Sequence, residues 1–335
     1  MMVSAGQTGS EVVAMSAGEP ILSASLAAAG PLLESAIGYA VDARSPRTRS
    51  AYTYQLARFE TWADGLGLTW LPAAPATIAI YIASCADSGL RPASIAQAMA
   101  AITGAHGERG MTSPCAHPQV VEVWHGITRR LGVAQVQKAP LATDDLRRMI
   151  DATPDGLLGR RDRALLALGF SGGFRRSELV AVVLTDVAFV HEGLEVTVRR
   201  SKTDQVGKGM LKVVAYGGDP ATCPVRLLRR WLDDASISEG PIFLSVDRHS
   251  HIRKGGLSGH AIAEIVKRAA VRAGLDPRVY SGHSLRAGFV TEAKKHGADD
   301  ASIMDQTGHR SLEMLQRYHR RIRAWEKPAS AKLGL

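Results

Sequence analysis

Residues 187–218 read "VAFVHEGLEVTVRRSKTDQVGKGMLKVVAYGG", and they decide the fold class. Val187–Val190, Leu194–Val198 and Met210–Tyr216 are runs of β-branched and apolar residues, separated by Gly and polar turns. That punctuation predicts a small antiparallel sheet. Everything around it carries a helical period, so the chain is expected to be mainly α with one small sheet.

Upstream, Ser45-Pro46 can open a helix whose stripe is Leu56, Phe59, Trp62 and Leu66. "TIAIYIASCADSG" predicts a second helix that stops at Gly89. "RPASIAQAMAAITGAHG" puts Ile95, Met99 and Ile102 on one face. "PQVVEVWHGITRRLG" carries the stripe Val120, Val123, Trp124, Ile127 and Leu131. These four form a helical bundle over 41–132, preceded by a loose Ala/Ser/Gly-rich tail over 1–40. A small, polar linker ending in proline covers 133–140, and a second domain runs over 141–335. Within it "TDDLRRMI" and "GRRDRALLALGFSGG" read as helices. Helical patterns resume after the sheet, with Ser258, Ser281 and either Asp299 or Asp300 as N-caps.

The chain has 335 residues and a formal charge of +9. Residues 1–138 hold 9 Lys/Arg and 9 Asp/Glu, whereas 139–335 hold 32 and 23, so the whole excess belongs to the second domain. A polyanion is the first partner this suggests. The three cysteines, Cys85, Cys115 and Cys223, lie far apart, which argues against a disulfide framework. No apolar run approaches the roughly 20 residues of a membrane span, and the N-terminus lacks a signal-peptide pattern. A cytoplasmic, nucleoid-associated protein with no membrane partner is the expectation.

Four stretches of the second domain carry chemistry. "GGFRRSELVAV" sets Arg175 at a glycine-ended turn, with Glu178 three residues on. "RRSKTDQ" puts Lys202 between two strands. "SGHSLRAGFVT" spaces His283 and Arg286 by one helical turn. "TGHRSLEMLQRYHR" supplies His309 and Tyr318. Singly, each has a plainer reading. Arg175 is a surface charge, Lys202 a hairpin lysine guarding a strand edge, His283 and Arg286 a helix brace, and Tyr318 a packing residue.

Their order is more specific than any one of them. Arg, strand-loop Lys, His-x-x-Arg, Gly-His and a tyrosine nine residues later resemble the tyrosine recombinases, the phage-integrase family. "GGFRRSEL" resembles that family's Gly-x-Arg-x-Ser-Glu-Leu, and the similarity extends over nearly the whole chain. "TWADGLGLTWLPAAPATIAIYIA" followed by "SGLRPASIAQAMAAI" is most similar to the corresponding half of the Cre recombinase branch. Thr307 departs from the usual leucine before Gly-His, and His309 stands where Cre has tryptophan.

The resemblance implies a SAM-like core-binding domain, a catalytic domain, and site-specific cleavage and rejoining of DNA through a 3′-phosphotyrosine. The physical reason is legible in the residues. Attack on a phosphodiester adds negative charge at phosphorus, and two planar guanidiniums, Arg175 and Arg286, suit its nonbridging oxygens. A free phenol has a pKa of about 10, and nearby cations favour the phenolate of Tyr318. His283 is the candidate to take its proton, and His309 to hydrogen-bond a phosphate oxygen. Lys202 matches the family's general acid for the departing 5′-oxygen, and Glu178 is expected to hold the array.

No metal site and no cofactor are expected, neither ATP nor Mg²⁺. In the family the two domains clamp a duplex. Arg91, Ser94 and Gln97 at the start of helix 94–104 are then candidates for the major groove, and they serve equally as a cap and solvated face. Arg147, Arg148, Arg199, Arg200 and Lys208 are candidate phosphate contacts. The implied partners are double-stranded DNA with inverted-repeat half-sites, a tetramer on two such sites, and accessory DNA-bending proteins. The segment 319–335, "HRRIRAWEKPASAKLGL", either folds as a terminal helix on its own domain or, as the resemblance implies, docks on a neighbouring protomer. Alternatives are a non-cutting DNA-binding regulator, strand relaxation of the type IB topoisomerase kind, and a metal nuclease disfavoured by the missing ligands.

Overall fold

The computed structural model describes residues 30–133, 138–199, 209–247, 249–316 and 329–333. The chain divides into two compact units, with the boundary between Gln135 and Val136.

The first unit is helical. α1 (Gly30–Asp42) leads into α2 (Pro46–Asp64), α3 (Pro75–Asp87), α4 (Pro92–Gly107) and α5 (Pro118–Leu131). Four of the five open on proline, whose fixed φ and missing N–H cost nothing at a first helical position. Ser45 caps α2 by accepting from the Thr48 N–H at 3.2 Å. Phe59, Ile78, Ile82, Ile95, Ile102 and Val120 form the core. Phe59, Trp62 and Tyr81 meet there as a ring cluster, with centroids 4.7 Å and 5.0 Å apart across the Tyr81 contacts. His106 is buried and bridges α4 to the turn before α3. Its Nδ1–H donates to the Ile102 carbonyl at 2.8 Å, which leaves Nε2 to accept from the Ala73 N–H at 3.0 Å.

Two expectations are corrected. Residues 30–40 are helical, whereas a loose tail over 1–40 was expected. The signal was in the sequence, since "GPLLESAIGYAVD" opens on Gly-Pro and spaces Leu33, Ile37 and Val41 by four. Leu66 does not share the α2 stripe. The helix stops at Asp64 and Leu66 is exposed in the following turn.

The second unit is built around α7 (Leu157–Ser171), which is buried on nearly every side. α6 (Thr143–Asp151), α9 (Pro224–Asp234) and α11 (Gly282–Lys295) pack against it. α8 (Arg176–Ala181), α10 (Gly259–Arg272) and α12 (Asp300–Thr307) complete the helices named here, and residues 312–316 are helical too. The expected sheet is present as β1 (Val187–Phe189), β2 (Gly193–Val198) and β3 (Met210–Ala215), antiparallel in the order β1-β2-β3. Its register pairs Val187 with Val196, and Val196 with Lys212. β4 (Leu244–Val246) and β5 (Ile252–Gly256) form a second, two-stranded ladder where only helix was expected.

Caps set the later helices. Ser258 accepts from the Ala261 N–H, Ser281 from the His283 N–H, and Asp299, rather than Asp300, from the Ser302 N–H. A buried pair braces the ladder. Arg161 donates twice to Asp162 and once to the Leu244 carbonyl, which satisfies both charges inside the protein. Among the described residues no helix is long and apolar enough to cross a membrane.

Candidate active site

Two glycine turns and one helix end display the site. α7 ends at Gly172–Gly173, and Gly173 takes φ 55°, a left-handed conformation that lets the chain double back into α8. α12 ends at Gly308, φ 66°, where an added Cβ would meet Met210 Sδ at 3.0 Å. These turns deliver Arg175 and His309 to the same place. The first turn of α11 brings His283 and Arg286.

Arg175 stands at the N-cap of α8. Its own N–H donates to Glu178 Oε2 at 2.9 Å, and its Nη1 donates to Glu178 Oε1 at 2.5 Å. Its Nη2 reaches the Gly308 carbonyl at 3.3 Å. Arg286 is almost wholly buried, at 2 % exposure. It donates through Nη1 to the Gly173 carbonyl at 2.7 Å, while Nη2 lies 3.3 Å from His309 Nε2. Each guanidinium is therefore anchored on the turn that carries the other's neighbour. Both are oriented before any ligand arrives.

The hydrogen bonds assign the tautomer of His309. Thr307 Oγ1 donates to the Ile303 carbonyl at 2.6 Å, an acceptor with no proton to offer. Its single hydroxyl proton is thereby used, so the 2.7 Å contact to His309 Nδ1 is Nδ1–H donating to Thr307. Nε2 is left as a lone pair and accepts from Arg286. His309 is expected to hydrogen-bond a phosphate oxygen, and its Nε2 faces the Arg286 guanidinium that is expected to hold the same phosphate. Thr307, the departure from the usual leucine, is what fixes this. Thr307→Val, which keeps the shape and loses the hydroxyl, is expected to slow strand cleavage about fivefold to tenfold, the worth of one hydrogen bond. Thr307→Ser retains the rate, and single-turnover kinetics reads both.

Charge in the site is strongly unbalanced. Burial, then Arg286, Arg175, Lys212 and His283, hold His309 down at about 3. Loss of hydration beside neighbouring protein, then Arg286, Arg176 and Arg175, lower His283 below the ordinary histidine value, though the residue keeps access to solvent. Both imidazoles are neutral at pH 7, and a proton added to either is repelled. A site that resists further cations is one that accepts an anion.

Lys212, which the sequence reading passed over, lies beneath this array with no exposed surface. Burial, opposed by Glu178 and reinforced by Arg286 and Arg175, pulls its pKa down to about 7. The signal was present: in "MLKVVA" strict alternation puts Lys212 on the same face as the buried Val214.

Arg175, Glu178, His283, Arg286 and His309 are thus brought together. Lys202, Arg200, Lys208 and Tyr318 lie outside the described residues. Arg91 and Gln97 are exposed and Ser94 half-buried at the start of α4 in the first unit. Arg147 and Arg148 are exposed on α6 and pair with Asp144 and Asp145, and Arg148 also donates to the Ala273 carbonyl. Arg199, exposed just after β2, is held by Asp186 and Thr185. No three His, Cys, Asp or Glu side chains group as a metal site among the described residues.

Comparison with known proteins places these features in a wider set. Residues 140–323 match the phage integrase family, and 40–106 match the phage integrase N-terminal SAM-like domain. An integrase/recombinase xerD homolog of Selenomonas ruminantium is 37 % identical over 279 residues, 82 % of each chain. Tyrosine recombinase XerD of Xanthomonas axonopodis pv. citri is 29 % identical, over 81 % of this chain and 86 % of that one. A crystal structure of a lambda integrase dimer bound to a COC′ core site aligns with TM-score 0.56 at 19 % identity, covering 85 % of this chain and 92 % of the other. At that identity the structural match speaks for the fold.

Proposed function

The chain belongs to the phage integrase family, and on that premise we propose that it breaks and rejoins DNA strands through Tyr318, using the array of Arg175, Arg286, His283 and His309. It is a site-specific DNA recombinase of the tyrosine type. The observation that supports these residue roles is the convergence of two anchored guanidiniums on one turn, with two neutral imidazoles beside them.

The guanidiniums hold the nonbridging oxygens of a backbone phosphate, and their fixed orientation favours the transition state, where charge at phosphorus is greatest. His283, neutral at pH 7, accepts the phenolic proton of Tyr318. The phenolate oxygen bonds to phosphorus as the bond to the 5′-oxygen breaks, and Lys202 gives that leaving oxygen its proton. A 3′-phosphotyrosine link and a free 5′-hydroxyl result. Attack by a 5′-hydroxyl of another strand reverses the chemistry and completes exchange. One phosphoester replaces another, so the balance calls for neither metal nor ATP. Glu178 neutralises part of the array and fixes Arg175 through both its guanidinium and its main-chain N–H.

DNA is the substrate. Inverted-repeat half-sites, a tetramer on two sites and bending proteins as helpers extend the same reading. So do groove contacts by Arg91, Ser94 and Gln97, and phosphate contacts by Arg147, Arg148, Arg199, Arg200 and Lys208.

One assay tests the chemistry. A duplex recovered from a random pool by its binding, nicked near its centre so that the short fragment bearing the freed 5′-hydroxyl diffuses away, is incubated with the protein in EDTA. A protein–DNA adduct that survives detergent is expected. Cleavage that EDTA abolishes, leaving no adduct, contradicts the proposal and favours a metal nuclease. Binding without cleavage favours a regulator.

A further inference from the structure

Lys212 is a buried cation with no part in the steps above. Its Nζ donates to the Gly172 carbonyl at 3.0 Å and to the Gln306 carbonyl. It stands 4.0 Å from Glu178 Oε2 and 4.9 Å from the centre of the Phe174 ring. Gly172 precedes the turn whose carbonyl holds Arg286, and Gln306 precedes the turn that carries His309. The Gln306 side chain also clasps β3 at Val213, its Nε2 donating to the Val213 carbonyl at 2.9 Å.

Building on the recombinase reading, we infer that Lys212 is a positioning residue for the phosphate-holding array: its ammonium staples the α7–α8 turn to the end of α12 and stands behind Glu178, holding Arg175, Arg286 and His309 in one arrangement. It is not the general acid. Its nitrogen is committed to two carbonyls and the residue has no exposed surface, whereas a departing oxygen needs a proton delivered at the surface of the site.

The charge on this staple has a direct effect on the reaction. The groups facing Lys212 are Glu178 of α8, Arg175 just before it, Arg286 of α11 and His309 after α12, with the uncharged Val196 opposite on β2. When Lys212 is protonated it offsets Glu178, and the guanidiniums present their full charge to phosphate. When it loses its proton, near pH 7 in the free protein, the array loses one positive charge. Cleavage then falls as pH rises. The folded pKa lies below the unfolded lysine value, so the unfolded chain binds more protons between the two, and stability rises with pH across that window.

The experiment is single-turnover cleavage of the nicked duplex from pH 6 to 9, with a melting curve for each protein. Wild type is expected to show a descending limb that Lys212→Met lacks, and Lys212→Met is expected to be at least about tenfold slower at pH 6.5. Its melting midpoint is expected to fall, because methionine leaves the Gly172 and Gln306 carbonyls and the Glu178 carboxylate without their buried donor. Glu178→Gln should move the limb to lower pH, since the Glu178 carboxylate holds the Lys212 proton on. Should Lys212→Met melt below the assay temperature, the Glu178→Gln profile decides alone. A Lys212→Met profile parallel to wild type, or a limb unmoved in Glu178→Gln, overturns the inference. No adduct from wild type overturns the recombinase reading itself, and the inference falls with it.

Discussion

Tyr318→Phe abolishes the covalent adduct and lowers strand cleavage by on the order of 10⁴-fold or more, while binding to the same duplex is unchanged. The substitution removes one oxygen and leaves the ring, so packing and net charge stay as they were. Among the described residues, His283 and His309 are neutral and have other tasks, and an imidazole adduct of phosphorus would be labile where a phenyl ester persists. A gel-shift titration beside a detergent gel separates the two effects. A fall in affinity equal to the fall in cleavage would mean that Tyr318 serves binding alone.

Arg286→Lys is expected to cost about 10²–10³-fold in single-turnover cleavage, with the melting midpoint lowered as well. Charge is retained, so a purely Coulombic role predicts a small effect. Geometry predicts a large one. The guanidinium spans from the Gly173 carbonyl to His309 Nε2, a reach that a single ammonium cannot copy while also holding phosphate. The side chain is 2 % exposed, and a lysine there leaves either the carbonyl or the imidazole lone pair unmatched. Activity within threefold of wild type would show that charge suffices.

Much of the scaffold could be read from local rules, because caps and strand runs act over a few residues. Ser45-Pro46, Ser258 and Ser281 mark helix starts by the same hydrogen bond that the structure shows. The β2 and β3 runs stand out as β-branched segments between Gly and polar turns. What stayed hidden depends on tertiary partners. β4 and β5 are short, and "FLSVDRHSHIRKGG" mixes polar and apolar residues, β4 being half-buried and the described residues of β5 exposed. α1 is an exception, because Leu33, Ile37 and Val41 recur at steps of four and its helical period was legible. Lys212 belongs to no motif, and only strand alternation with Val214 points it inward.

The site shows the same division. Arg175, His283, Arg286 and His309 were named from their order and from the family resemblance, and the second unit gathers them. The direction of the His309 hydrogen bonds could not be named, since it rests on where the Thr307 proton goes, and that is settled by a carbonyl one helical turn back. The loss of hydration and the neighbouring guanidiniums that lower both imidazoles belong to the packed unit, and no short motif encodes them.

The most direct measurement is to digest the covalent adduct with protease and nuclease and locate the nucleotide remnant by mass spectrometry. A single 3′-phosphonucleotide on Tyr318 is the expected result, formed in EDTA and missing when Arg286 is lysine at short times. A remnant on any other side chain, or one attached through a 5′-phosphate, would contradict phenolate attack within the cationic array.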